Sequence, residues 1–287
     1  MNSETPFSEF ADVYLCDIKG KLKSFSSIFS IMSCFKDYFK KTPIGQLKRI
    51  QVHFYIKQRK ERGICDGTIN TELAILSAAI GYVSDRWELD LPNPVKRQRL
   101  PAPEYRVRYL SHLESERLID AASTVHPLLS PFLVLALNTG CRKTELVKLK
   151  WDDIDFDRRV ITLRPENTKT RKRRAVPMNA KTMIAFNELL NLRGKNRGED
   201  QWVFFNGRGG HRRDMYSLFV KARTIAGIED CTLHDLRHTF ASRLVMSGVE
   251  LIKVRDLLGH SSVKMTERYA HLATDVLFGA VSVLDRY

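Results

Sequence analysis

His234, Arg237, His260 and Tyr269 stand close together in TLHDLRHTFASRLVMSGVELIKVRDLLGHSSVKMTERY, the stretch from Thr232 to Tyr269. Tyr269 carries a phenol, which becomes a nucleophile once its proton is taken; its ordinary pKa is about 10. The guanidinium of Arg237 is a planar fork suited to the oxygens of a phosphate. The imidazoles of His234 and His260 can donate or accept protons. Any one of these residues is more often structural than chemical. Four on short elements that can converge are harder to dismiss.

The elements that would position them can be read from the pattern. Thr232 is placed to cap a helix, with Asp235 three residues on as its partner. Leu233, Leu236, Phe240 and Leu244 recur at helical spacing and should face a core. His234 and Arg237, three apart, share neighbouring positions on that helix. Gly248 ends it. Val249 to Leu258 makes a second helix, with Val254, Leu257 and Leu258 on one side and Gly259 as its stop. His260 lies just beyond. Ser262 can cap a third, short helix carrying Tyr269.

The segments HDLRHTFAS, LGHSS and TERYAHL resemble, in order and spacing, the C-terminal signature of the tyrosine recombinase (phage integrase) family. Upstream, TGCRKTEL resembles that family's first arginine box. The resemblance makes Arg142 catalytic and Glu145 a supporting acid that holds an arginine. In ENTKTRKRRAVP it points to Lys169 as the lysine at the tip of a β-hairpin, with Lys172 as the rival. The implied catalytic set is Arg142, Lys169, His234, Arg237, His260 and Tyr269. His238 is expected to pack beside them and orient the site. Cys141, where an aliphatic residue is more usual, should be buried and inert.

Taken together these types describe phosphoryl transfer to tyrosine. The chemistry the resemblance implies runs as follows. Tyr269 attacks a DNA phosphodiester in line while Arg142 and Arg237 hold the non-bridging oxygens. Lys169 protonates the departing 5′-oxygen, His234 handles the tyrosine proton and His260 bonds a non-bridging oxygen. The product is a 3′-phosphotyrosine link that another 5′-hydroxyl can reseal. No cofactor and no metal are expected, because no carboxylate cluster is present to hold two magnesium ions. The implied assembly is a homotetramer on two paired duplex DNA sites, with a host or phage DNA-bending or directionality factor as an open partner. A type IB topoisomerase-like enzyme shares the chemistry, and a DNA-binding protein without activity is the third reading.

Other patterns fail on their chemistry. Asp153, Asp155 and Asp157 alternate like a calcium loop, but Arg158 stands where the loop needs glycine and Arg164 where it needs glutamate. Their alternation suits a strand edge. Cys231, His234 and His238 lack a fourth zinc ligand nearby. NGRGGHRR lacks the Lys-Ser/Thr ending of a nucleotide-binding loop.

Length and charge agree with this reading. The 287 residues suit one large domain or two ordinary ones, and 47 Lys and Arg against 33 Asp and Glu leave a net charge of +14. Such an excess favours a polyanion, nucleic acid first. No apolar run is long enough to span a bilayer, Pro127 to Leu137 being the best. The N-terminus has no signal-peptide layout, and five cysteines without C-x-x-C point to a reduced cytoplasm. The expected setting is therefore cytoplasmic and nucleoid-associated, in a bacterium or phage, with no membrane partner.

The expected fold is mainly α with a small antiparallel β-sheet. Residues 1–95 should form a helical domain, with helices over Phe7 to Lys19, Ser24 to Phe39, a segment from Thr42 through Lys60, and Thr68 to Trp87. The last, opening Thr68-Ile69-Asn70, resembles a helix of the family's SAM-like core-binding domain. Residues 96–108, with five basic residues and two prolines, read as a basic strap. Lys96, Arg97, Arg99, Arg106 and Arg108 are its expected DNA contacts, joined by Arg171 and Arg173 of the hairpin. Residues 109–287 form the α+β catalytic domain. Its strands are expected at Val160 to Leu163, Arg173 to Val176 and Trp202 to Phe205. Its last segment, 274–287, is apolar enough to dock on a neighbour or on its own domain. The resemblance is expected to be to a compact form of the family, without an arm-binding domain ahead of the helices.

Overall fold

The computed structural model describes residues 1–22, 24–101, 107–168, 171–193, 201–206, 209–273 and 281–286. Lys169, Arg106 and most of the segment 274–287 lie outside these residues. The chain divides into two compact units, Met1–Glu104 and Tyr105–Tyr287.

The first unit is built from α1 (Phe7–Ile18), α2 (Phe25–Phe39), α3 (Arg49–Glu61) and α4 (Asp66–Trp87). Along α4, Ile69, Leu73, Leu76, Ile80 and Val83 are all buried, the single stripe that its periodicity requires. On α2 the stripe is narrower than its apolar residues suggest: Ile28, Met32 and Phe35 are buried, but Phe29 is half exposed. The segment after Pro43 is not one helix. A 3₁₀ turn at Ile44–Gln46 precedes α3, and Leu47, in extended conformation, is buried between them. The Gln51 side chain accepts the Lys48 backbone N–H at 2.8 Å and so fixes where α3 begins. One charged group sits in this core. Glu72 is buried, and its Oε2 accepts from Tyr55 Oη at 2.8 Å and Arg59 Nε at 3.0 Å.

The second unit is mixed. Its elements are α5 (His112–Val125), α6 (Leu129–Thr139), α7 (Lys143–Val147), β1 (Ile154–Asp155), β2 (Val160–Leu163), β3 (Arg174–Pro177), α8 (Ala180–Arg193), α9 (Met215–Ile225), α10 (Leu233–Met246) and α11 (Leu251–Leu258). Two 3₁₀ turns follow, Val263–Met265 and Glu267–Leu272. α6 is apolar nearly all round because it is enclosed by α5, α8 and α10. The sheet is antiparallel in the order β1-β2-β3, with Ile161 opposite both Ile154 and Val176. Ser111 and Glu114 form the reciprocal cap of α5 that their spacing announces, at 2.7 and 3.1 Å.

Trp202 to Phe205 does not join the sheet. It makes isolated bridges, Lys150 to Trp202 and Phe205 to His211, while Val203 and Phe204 fill the core. Its burial pattern mimics a strand, but the partners are loops. Tyr269 likewise rides on a 3₁₀ turn separate from the one that Ser262 caps, not on a single helix.

Candidate active site

α10 is the spine of the site. Its first turn is fixed by Asp235, whose carboxylate accepts the Thr232 backbone N–H at 2.7 Å and hydroxyl at 2.8 Å. Leu236 turns inward, and Arg237 follows it into the interior with 2% of its surface exposed. A buried guanidinium must have its donors satisfied. Arg237 Nη1 donates to the Gly140 carbonyl and Nη2 to the Leu258 carbonyl, both at 2.7 Å. Burial, followed by the fields of Arg142 and Arg174, lowers its pKa to about 10, so it stays charged at neutral pH.

Both carbonyls sit beside glycines with a reason to be glycine. Gly140 has φ +61° and a Cβ there would collide with the Phe240 ring and come within 2.9 Å of Leu258 Cδ2. Gly259 has φ +64° and its Cβ would strike Arg174 Nη1. The glycines end α6 and α11 in left-handed turns, leaving each helix's last carbonyls available to an arginine.

Arg142 is the N-cap of α7, where Gly140 and Cys141 deliver it. Glu145, one turn on, is buried and accepts both the Arg142 backbone N–H at 2.8 Å and Nη1 at 2.9 Å. The other face of that carboxylate is taken by an arginine the sequence reading passed over. Arg174 Nη2 donates to Glu145 Oε2 at 2.8 Å, and Arg174 Nη1 donates to the Leu258 carbonyl. Cys141 is buried, with Sγ 3.8 Å from Arg174 Nη2, and burial pushes its thiol pKa up.

Tyr269 is buried, and its Oη lies 2.5 Å from His238 Nδ1. The imidazole at the phenol is thus that of His238; the His234 ring meets His238 edge-on, centroids 4.8 Å apart. His260 Nδ1 pairs with Thr266 Oγ1 at 2.9 Å, which fixes its ring through a residue buried under the tyrosine turn. All three histidines titrate below their ordinary range. Burial is the first cause for each. Arg237 is next for His234 and for His260, which falls to about 3, and His234 is next for His238, which falls to about 4. The site at neutral pH therefore holds neutral imidazoles among charged arginines.

Comparison with known proteins fits this constellation. The model of the phage integrase family matches residues 108–275. The chain belongs to the phage integrase family of tyrosine recombinases. It is 31% identical over 221 residues to the integrase of Salmonella phage P22, covering 72% of this chain and 54% of the phage protein. It is 29% identical over 236 residues to the tyrosine recombinase XerC of Bacillus pumilus, covering 78% of this chain and 76% of that one. This family member thus spans about half the length of the P22 integrase. Among solved structures, the Tn1549 transposon integrase in complex with transposon right end DNA superposes with a TM-score of 0.79 at 23% identity, covering 96% of this chain and 99% of that one. A lambda integrase tetramer bound to a Holliday junction gives 0.79 at 19%, over 93% and 77%.

In this phage integrase family chain, the structure brings Arg142, His234, Arg237, His260 and Tyr269 together with Glu145 and His238. Lys169 lies outside the described residues. Of the expected DNA contacts, Lys96, Arg97 and Arg99 are exposed on the first unit, where Arg97 and Arg99 line a cleft with Asn70, Thr71 and Ser77. Arg171 and Arg173 are exposed on the second, and Lys172 and Arg173 line a cleft with Arg255 and His260. Arg106 lies outside the described residues. Arg108 is placed differently from the others: its guanidinium is engaged by Glu114 and, at 3.1 Å, by Asp230. The signal that could have found Arg174 is strand register. It pairs with Leu163, and directly opposed residues share a face of the sheet, so an inward Leu163 turns Arg174 inward too.

Proposed function

We propose that this chain is a site-specific DNA recombinase that cleaves one strand through a 3′-phosphotyrosine link and rejoins it to another duplex, in the integration or excision of a mobile element. The observation that carries the reading is the pairing of Tyr269 Oη with His238 on the same helix that holds Arg237 beside Arg142. A nucleophile, a proton acceptor and two phosphate-binding forks are supplied by one framework.

In the proposed reaction the phenol loses its proton to the His238–His234 pair as the oxygen bonds to phosphorus. Arg142, Arg237 and His260 stabilise the charge that builds on the non-bridging oxygens. Lys169 protonates the leaving 5′-oxygen, so that the P–O5′ bond breaks without an alkoxide being released. Because Tyr269 is buried, DNA entry is coupled to an opening of the Glu267–Leu272 turn. The exposed Lys96, Arg97, Arg99, Arg171 and Arg173 supply phosphate contacts. Like the lambda integrase tetramer on a Holliday junction, the chain would act as four copies on two sites.

The test is covalent trapping. The purified chain, in EDTA, is mixed with nicked duplexes tiled from the DNA flanking its own gene and run on a denaturing gel. The expected result is a protein–DNA adduct that disappears in Tyr269→Phe while gel-shift binding remains. An adduct that persists in Tyr269→Phe removes the nucleophile assignment. Binding without any adduct, on these tiles and on family half-sites, overturns the recombinase reading in favour of an inactive DNA-binding protein.

A further inference from the structure

We propose that Arg174 is a positioning residue for the reaction: it occupies one oxygen of Glu145 and thereby keeps the Arg142 guanidinium turned toward the phosphate. The catalytic relevance rests on the recombinase reading above; the geometry does not.

Glu145 is 1% exposed, so both its oxygens must be satisfied by protein. Arg142 reaches it with a single side-chain nitrogen, Nη1 to Oε1 at 2.9 Å. Oε2 is already filled by the Arg142 backbone N–H and by Arg174 Nη2, each at 2.8 Å. A guanidinium facing an undivided carboxylate closes a two-nitrogen fork on it. Arg174 blocks that fork. The rest of the Arg142 guanidinium makes no other hydrogen bond among the described residues and stays available to an anion.

Arg174 also reaches the second phosphate-binding arginine. Its Nη1 and Arg237 Nη2 donate to the same carbonyl, that of Leu258. One side chain on β3 thus ties together the mounts of Arg142 and Arg237. The site makes room for it at Gly259, where any Cβ would collide with Nη1. The Arg174 side chain is 10% exposed and its Nε has no partner among the described residues, so solvent does not hold it there.

The test uses the full chain and three variants, with thermal melts to confirm folding. Arg174→Met keeps the aliphatic stem and removes the fork. Its expected effect is unchanged DNA binding with adduct formation slowed about 100-fold, the scale of one lost transition-state donor. Glu145→Gln in the same chain removes the carboxylate that would capture Arg142. The double variant Arg174→Met, Glu145→Gln should therefore cleave faster than Arg174→Met alone. A purely structural arginine gives the opposite, because two folding defects add. A crystal structure of Arg174→Met grown with inorganic sulfate is the readout independent of activity: Arg142 should have closed on both oxygens of Glu145. Should Arg174→Met not fold, Arg174→Gln makes the same comparison while keeping a donor for the Leu258 carbonyl. Arg142 unmoved in that structure, or a double variant slower than the single, overturns the proposal. A wild-type chain that forms no adduct would instead overturn the recombinase reading, and the Arg142 position would still decide the role of Arg174.

Discussion

Each unit of this protein buries a glutamate against arginine, and the two clusters are built to different ends. In the first unit Glu72 faces one arginine, Arg59, and one phenol, Tyr55. The charges cancel and the hydrogen bonds close. In the second, Glu145 faces Arg142 and Arg174, and Arg237 lies near enough for both to depress its pKa. Three guanidiniums surround one carboxylate, and neutral histidines add no compensating charge. A balanced buried cluster fixes a fold; a cluster left with surplus positive charge is completed only by an anion from outside. The fold of the second unit therefore carries an electrostatic cost in the absence of a bound anion that the first does not.

The sharpest way to break the comparison is through Arg237. Arg237→Ala should lower the rate of adduct formation by about 100- to 1,000-fold, the range for a lost oxyanion donor. Its counterpart Arg59→Ala should leave the chemical step unchanged once binding is saturated, as read by single-turnover cleavage. Equal losses in both would show that the second cluster is only structural.

Stability should sort the other way. Glu72→Ala leaves Arg59 and Tyr55 without their acceptor and should cost the first unit about 3–5 kcal/mol, the range for breaking one side of a buried pair. Hydrogen exchange, read separately over α1–α4 and α5–α11, localises that loss. Inorganic sulfate tests the same asymmetry without mutation. An anion binding only the folded second unit adds about 1.4 kcal/mol at ten times its Kd. Protection should rise in α7, α10 and α11 and not in α3 and α4. A uniform rise would mean that sulfate acts through general exclusion and not at the arginines.

The contrast also shows what a sequence can disclose. The cap of α10, Thr232 with Asp235, was legible because it depends on residues three apart. His234, Arg237 and Tyr269 were legible because chemistry restricts their type. Arg174 was not, since nothing local separates it from Arg171 and Arg173; only pairing with Leu163 turns it inward. His238 was read as a neighbour, and its contact with Tyr269 depends on a turn 31 residues away. Trp202 to Phe205 misled because burial alone imitates a strand when the hydrogen-bonding partner is a loop.

The smallest expected effect concerns protons. His260 is pushed down to about 3 and His238 to about 4, by burial first and then by neighbouring positive or polar groups; Arg237, Arg142, Arg268 and Arg174 all face His260, while Asp235 partly offsets the effect at His238. In the unfolded chain both return toward about 6.5. A folded pKa below the unfolded one means that the native state binds fewer protons, so this contribution is intact above pH 6.5 and shrinks as pH falls below it. The second unit should lose protection between pH 6.5 and 4, after correction for intrinsic exchange. Of the first unit's buried or half-buried shifted groups, Tyr14, Tyr55 and Arg59 are all raised and do not titrate there. A bound phosphate partly cancels the arginine field and lifts the histidine pKa values, so binding at pH 6 should take up a fraction of a proton. Calorimetry of duplex binding in two buffers of different ionisation enthalpy reads that number. Proton release, or the same pH loss in both units, would mean that the histidines are shielded by their burial alone and that the surplus charge of the second cluster is not what governs them.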